Sequence, residues 1–129
     1  VESSRPSGNN WTCLAHDHEV AATGTVTSYA IGCRAKESGF NLSCSVTSKS
    51  IGTPQPGIVQ TSVESSLPRA VVGGGCEDVP EGWSRLLSGM SPKIEAGGAT
   101  GFTCRSKDSV HQKNSNLKAW TIGCALKPK

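Results

Sequence analysis

Three consecutive residues, His16, Asp17 and His18, carry the side chains best suited to chemistry in this 129-residue chain. On a strand, alternate side chains share a face, so His16 and His18 could hold a metal ion with a third ligand such as His111 or Glu19. The plainer reading is a pair of solvated histidines at a strand end. A comparison within the chain bears on the choice: Asp17 aligns with Asp108, whereas Lys107 and Ser109 stand where the two histidines do. Asp17 is therefore expected to serve the fold, accepting backbone N–H bonds at a loop. A Ser/His/Asp hydrolase would need a GxSxG elbow or a comparable setting, and the sequence has none. The six cysteines are expected to pair rather than to act as nucleophiles. Trp83, beside a turn and without a counterpart elsewhere, is the aromatic expected to reach a partner. No catalytic residue and no cofactor is expected.

The elements that would position these residues are visible as an internal duplication. Residues 11–36 read WTCLAHDHEVAATGTVTSYAIGCRAK, and residues 102–127 read FTCRSKDSVHQKNSNLKAWTIGCALK. In both, an aromatic-Thr-Cys opens the run, an Asp lies four residues after the Cys, a polar loop follows, and Ile-Gly-Cys closes it. Each copy reads as two antiparallel strands joined by a loop, at 19–24 in the first and 112–116 in the second. Trp11, Tyr29, Phe102 and Trp120 take matching places and are expected to share the core. A hairpin that set Cys13 against Cys33 would centre on Thr23, and one that set Cys104 against Cys124 would centre on Asn114. Both centres fall in predicted loops, which favours Cys13–Cys33 and Cys104–Cys124 and leaves Cys44–Cys76. Six cysteines allow fifteen connectivities, and Cys76–Cys104 with Cys44–Cys124 is the main rival.

Composition narrows the class. Hydrophobic residues make up 35% and aromatics 5% of the chain, thin for a domain held by burial alone, so disulfides are expected to compensate. Without a CxxC pair or a Cys/His cluster at zinc spacing, the cysteines point to an oxidising, extracellular setting. Asn10-Trp11-Thr12 and Asn41-Leu42-Ser43 are N-glycosylation sequons, placing Asn10 and Asn41 among the expected modified residues. The formal charge of +3 is dispersed, which argues against nucleic acid, since backbone binding needs clustered Lys and Arg. No apolar run approaches the roughly 20 residues of a membrane span.

In chain order, residues 1–10 predict an edge strand and a turn, and residues 40–49 another strand. The segment 52–57, with two prolines and two glycines, predicts a loop. A strand resumes at 58–63, and 70–76 enters the triple glycine at 73–75, expected to mark a bulge or a close backbone approach. A short strand is predicted at 86–88, ending at Ser91-Pro92, and a Gly-rich loop at 97–101. No helix is predicted.

The run Val71-Val72-Gly73-Gly74-Gly75, Leu86-Leu87-Ser88, Ser91-Pro92, Arg105-Ser106-Lys107-Asp108 and Ala119-Trp120-Thr121-Ile122-Gly123 resembles a secreted β module of pattern VGGG, LLTxSxP, SKDH, YAIG. It is also similar to the modules of the Cys-rich C-terminal domain of the kexin-type convertase that regulates the LDL receptor, a fold compared with resistin. The likeness covers about residues 67–127 and the stretch 11–36. It implies small jelly-roll-like units that act as extracellular binding or assembly modules without catalysis. It assigns no functional residue.

The sequence thus predicts an all-β, antiparallel, sandwich-like or jelly-roll-like, disulfide-stapled protein, residues 1–129 forming one unit of two degenerate repeats. Residues 1–62 make a partial repeat lacking its first strand, and 63–129 a more complete one. The expected role is a secreted, non-enzymatic module that binds protein or glycan. A self-assembling matrix or mineral-associated protein is the structural alternative, and metal-binding or hydrolytic activity at His16 and His18 the chemical one. Expected partners are an extracellular protein, a glycan, copies of the chain, or a missing N-terminal chain of the same precursor.

Overall fold

The computed structural model describes residues 3–15, 23–29, 32–66, 69–79, 85–109 and 111–129. Their regular elements are all strands: β1 (Ser3–Ser7), β2 (Asn10–Leu14), β3 (Phe40–Ser50), β4 (Val59–Glu64), β5 (Ala70–Glu77), β6 (Arg85–Glu95), β7 (Gly98–Asp108) and β8 (Lys118–Pro128). They form a five-stranded sheet, β2-β1-β5-β8-β3, and a three-stranded sheet, β4-β7-β6. Every pairing is antiparallel. The all-β class expected from alternation is therefore the observed one. No described helix is long and apolar enough to cross a membrane.

Alternation explains the core. On β4, Val59, Thr61 and Val63 point inward while Gln60 and Glu64 stay exposed, the period-2 pattern of a half-buried strand. Val59 and Val63 pack with Leu117, Ala119, Cys76 and Cys104, and Ile51, Leu87 and Phe102 close the cluster. The core is small, and two of its fully buried members are sulfur atoms of one bond. Cys76–Cys104 joins β5 to β7 and so ties the two sheets together. Cys44–Cys124 joins directly opposed residues of β3 and β8, which pair without interruption from Phe40–Pro128 to Ser50–Lys118.

These bonds correct the expected pairing of Cys104 with Cys124 and of Cys44 with Cys76. The physical reason lies at 109–117. That segment does not close a hairpin; it carries the chain from the three-stranded sheet to the five-stranded one, so Cys104 and Cys124 lie in different sheets. The first copy departs as well. β2 pairs with β1 through Ser4–Cys13 and Pro6–Trp11 rather than with residues 25–33. The described parts of 23–36 contain no strand. Cys13, half-buried, and Cys33, exposed, are not bonded to each other. Tyr29, expected in the core, is 80% exposed.

Two other expectations shift. β6 does not end at Ser91-Pro92 but continues to Glu95, with Pro92 opposite Phe102. Because β6 is an edge strand, the missing Pro N–H breaks no ladder bond on the outer side. The predicted loop at 97–101 is mostly strand β7, and the turn sits just before it at 96–97, with Gly98, the first residue of β7, at φ of 117°.

The triple glycine behaves as expected. The β5 register against β8 slips between Val71 and Gly73, a bulge. A Cβ on Gly74 would overlap the Phe102 ring, and one on Gly75 would strike the β1 backbone at Ser4 and Arg5. Gly74→Ala is thus expected to lower stability by about 1–3 kcal/mol through overpacking, although alanine is ordinarily the better strand residue. Gly97→Ala, with nothing near its Cβ, is the control. Urea denaturation checks both, and a Phe102→Ala background should relieve the Gly74→Ala loss.

Candidate functional site

At the end of the sandwich where β4 begins and β7 stops, three loops converge over one buried cation. Arg85, the first residue of β6, is only 1% exposed. Its Nε donates to Asp78 Oδ2 at 3.2 Å, and its Nη1 to Asp108 Oδ1 at 2.5 Å. Nη1 also donates to the Gly57 carbonyl at 2.9 Å and the Lys113 carbonyl at 3.3 Å, and Nη2 to Ser106 Oγ at 2.5 Å. Asp78, 2% exposed, accepts from Ser115 Oγ, which lies 3.4 Å from Ser106 Oγ. Buried charge of this kind is tolerated when every member is paired and hydrogen-bonded.

Asp108 fastens the loops. It accepts backbone N–H bonds from Gly57 at 2.6 Å and from Lys113 at 3.1 Å. That is the role expected of its sequence counterpart Asp17. Burial works to raise the Asp108 pKa, but the Lys113 N–H, the Arg85 guanidinium and the Gly57 N–H together hold it below the ordinary aspartate value. A carboxylate depressed in the fold contributes stability above its unfolded pKa and loses it as pH falls through its folded one. Stability measured from about pH 6 down to about pH 2 is therefore expected to drop below about pH 4. Asp108→Asn should flatten that drop.

Above this network lies a cleft of about 630 Å³ lined by Pro54, Val79, Gln112, Lys113, Asn114 and Asn116. Its walls are pinned to each other by backbone. Gln55 and Ser115 exchange hydrogen bonds of 3.2 and 3.0 Å, and the Asn116 N–H donates to the Val79 carbonyl at 2.6 Å. Asn116 Oδ1 is buried without a hydrogen-bond partner among the described residues. The lining combines three carboxamides, which donate to and accept from hydroxyls, and one ammonium, which donates only, with Pro54 and Val79. Among the described residues the lining holds no carboxylate, imidazole or thiol, and Asp78 and Asp108 are committed to Arg85.

Of the residues singled out in the sequence, His16, Asp17, His18, Glu19 and Trp83 lie outside the described residues. His111 is exposed, and among the described residues no group of three or more His, Cys, Asp or Glu could hold a metal. Asn10 and Asn41, the sequon residues, are both exposed. The cleft itself was missed, since the run Gln112-Lys113-Asn114-Ser115-Asn116 reads simply as a polar connection. Its signal was five consecutive hydrogen-bonding side chains. Fold and site together define an all-β, disulfide-stapled, two-sheet protein with a polar cleft at one end. No family model, curated protein or solved structure matches this chain.

Proposed function

We propose that the protein is a secreted, non-enzymatic binding module that takes a hydroxyl-rich ligand, a glycan, in the cleft between Pro54, Val79 and residues 112–116. The observation that carries the reading is the carboxamide lining held over the buried Arg85 network. A preorganised set of donors and acceptors recognises polyols without the entropy loss of ordering a mobile loop. Two disulfides support an oxidising compartment, and the exposure of Asn10 and Asn41 supports their glycosylation. The likeness to secreted β modules points the same way.

A glycan array, followed by titration of the best ligand, tests the reading. Asn114→Ala and Asn116→Ala are each expected to weaken binding by about tenfold, the loss of roughly one hydrogen bond to a ligand hydroxyl. Binding that survives both substitutions would remove the cleft from consideration. The self-assembly reading draws on a different observation. Val46 and Leu126, on adjacent strands of the five-stranded sheet and on the same face, are 53% and 58% exposed. Concentration-dependent association in light scattering without a ligand, abolished by Val46→Lys, would favour that reading.

A further inference from the structure

β7 has two faces, and the fold uses up only the inner one. Cys104 and Ser106 are fully buried, the first bonded to Cys76 and the second accepting from Arg85. Arg105 and Lys107 alternate with them and so point to the outer side of the three-stranded sheet, where both are exposed. Directly opposed residues share a face, which resolves this outer surface into cross-strand rows. Gly101 of β7 lies between Glu64 and Lys93, Thr103 between Ser62 and Ser91, and Arg105 between Gln60 and Gly89.

The rows differ in charge. In the first, Lys93 pairs with Glu64 and, at 2.9 Å, with Glu95, so its ammonium is committed. The second carries hydroxyls, with Ser62 Oγ and Thr103 Oγ1 2.9 Å apart. In the third, the Arg105 guanidinium has a carboxamide on its β4 side and a glycine, without a side chain, directly opposite on β6. Glu37 apart, every described carboxylate is already in an ion pair: Glu77 with Arg5, Asp78 and Asp108 with Arg85, Glu64 and Glu95 with Lys93. The side chains of Arg105 and Lys107 make no ion pair or hydrogen bond among the described residues. Their strip ends at the cleft. Asp108, next after Lys107, accepts the Lys113 N–H at 3.1 Å, and Lys113 is the cation of the cleft lining.

We propose that Arg105 and Lys107 form an anion subsite and that the ligand is an acidic polysaccharide, whose sulfate or carboxylate groups seat on this strip while neutral hydroxyls enter the cleft. The inference deepens the glycan reading and rests on it for the class of ligand. Arginine presents a rigid fork of donors that meets an oxyanion with two bonds, and the lysine adds a point charge about 7 Å further along the strand. Two anionic groups of one chain are thereby engaged together, with Gln60, Thr103 and Ser91 beside them to meet the hydroxyls between. Other polyanions fit less well. Phe102, the one aromatic of the three strands, points inward at Gly74, so none is left on this face to stack on a nucleic-acid base. Two cations also fall short of the roughly four to eight Lys and Arg that hold a lipid surface.

The test is calorimetric titration, over a range of salt, with a size-defined heparin oligosaccharide, the same oligosaccharide desulfated but keeping its carboxylates, and a neutral dextran of matched length. Heparin is expected to bind more tightly than dextran; the desulfated form then follows dextran if sulfate is the group read and heparin if carboxylate is. Arg105→Gln with Lys107→Gln should weaken heparin binding by roughly tenfold, since an exposed ion contact is worth up to about fivefold. The slope of log affinity against log salt should shrink by up to about two, one for each lost cation. Dextran binding should be unchanged, as should the melting temperature, because neither side chain holds the fold. Lys127→Gln, which removes an exposed charge from the other sheet, should leave heparin binding unchanged. Heparin bound no more tightly than dextran, a double variant with unchanged heparin affinity and slope, an equal loss in Lys127→Gln, or tighter binding of polyglutamate, single-stranded DNA or anionic vesicles overturns the proposal. If Asn114→Ala and Asn116→Ala leave heparin binding intact while the double variant weakens it, the cleft reading fails and the strip stands; the reverse pattern keeps the cleft and overturns the strip.

Discussion

Arg85→Met is expected to lower stability by about 3–5 kcal/mol, the loss that follows when one partner of a buried ion network is removed. The side chain is 1% exposed and faces Asp78, itself 2% exposed, and Asp108. Methionine matches much of its length but leaves Asp78 with only Ser115 Oγ as a side-chain partner among the described residues. Moving a carboxylate out of water without a counter-ion is the dominant cost, and a gain in apolar packing cannot offset it. Arg85→Lys should recover only part of the loss, because a single ammonium cannot reach Asp78, Asp108 and Ser106 at once. In Arg85→Met with Asp78→Leu, where charge and counter-charge leave together, stability should rise again toward the parent. Urea titrations of the four proteins decide the matter. A midpoint unmoved in Arg85→Met would mean that the guanidinium contributes nothing net. The network also sets the cleft, since Arg85 Nη1 holds the Lys113 and Gly57 carbonyls.

What the sequence could convey was local. The alternation in Phe40–Ser50 and Val59–Glu64 marks strands because each has one face in the core, and both appear close to their predicted bounds. The triple glycine was legible for a similar reason: no side chain fits where Phe102 and the β1 backbone press on β5. Alternation says that a segment is extended, but not which segment lies beside it. The nine residues 109–117 are long enough either to close a hairpin or to cross between sheets, and the crossing prevails because Leu117 and Ala119 bury themselves against β4 and β7. Equal spacing of Cys13–Cys33 and Cys104–Cys124 looked like pairing geometry, whereas the bonds observed are Cys76–Cys104 and Cys44–Cys124. The candidate site was illegible for the same reason. Asp78, Arg85, Ser106, Asp108 and Ser115 are scattered over 38 positions of sequence and meet only after the two sheets have closed. Arg85 in particular reads as an exposed strand end, since arginine is almost never fully buried unless paired.

Cys104→Ala is expected to cost about 2–5 kcal/mol, the usual range for a native disulfide in a small secreted domain. The closed segments differ, with a sequence separation of 28 for Cys76–Cys104 and 80 for Cys44–Cys124. Chain entropy alone would rank the longer link higher, at about 4.5 against about 3.6 kcal/mol. Burial acts in the opposite sense. Cys76 and Cys104 are fully buried at the centre of a sparse core, so Cys104→Ala also leaves a void between β5 and β7, whereas Cys44 lies exposed on an edge strand. The two losses are therefore expected to be similar, with the inner bond's made up more of packing. The identity of the released thiol is the sharper readout. If Cys104 bonds across the sheets, Cys104→Ala frees Cys76 while Cys124 stays linked to Cys44. Buried at 0% exposure, the Cys76 thiol should resist alkylation until the chain unfolds. If the two strands of residues 102–127 were instead a bonded hairpin, the same variant would free Cys124. Peptide mapping of Cys104→Ala, alkylated before and after denaturation, separates the two outcomes, and an unchanged melting temperature would count against either bond.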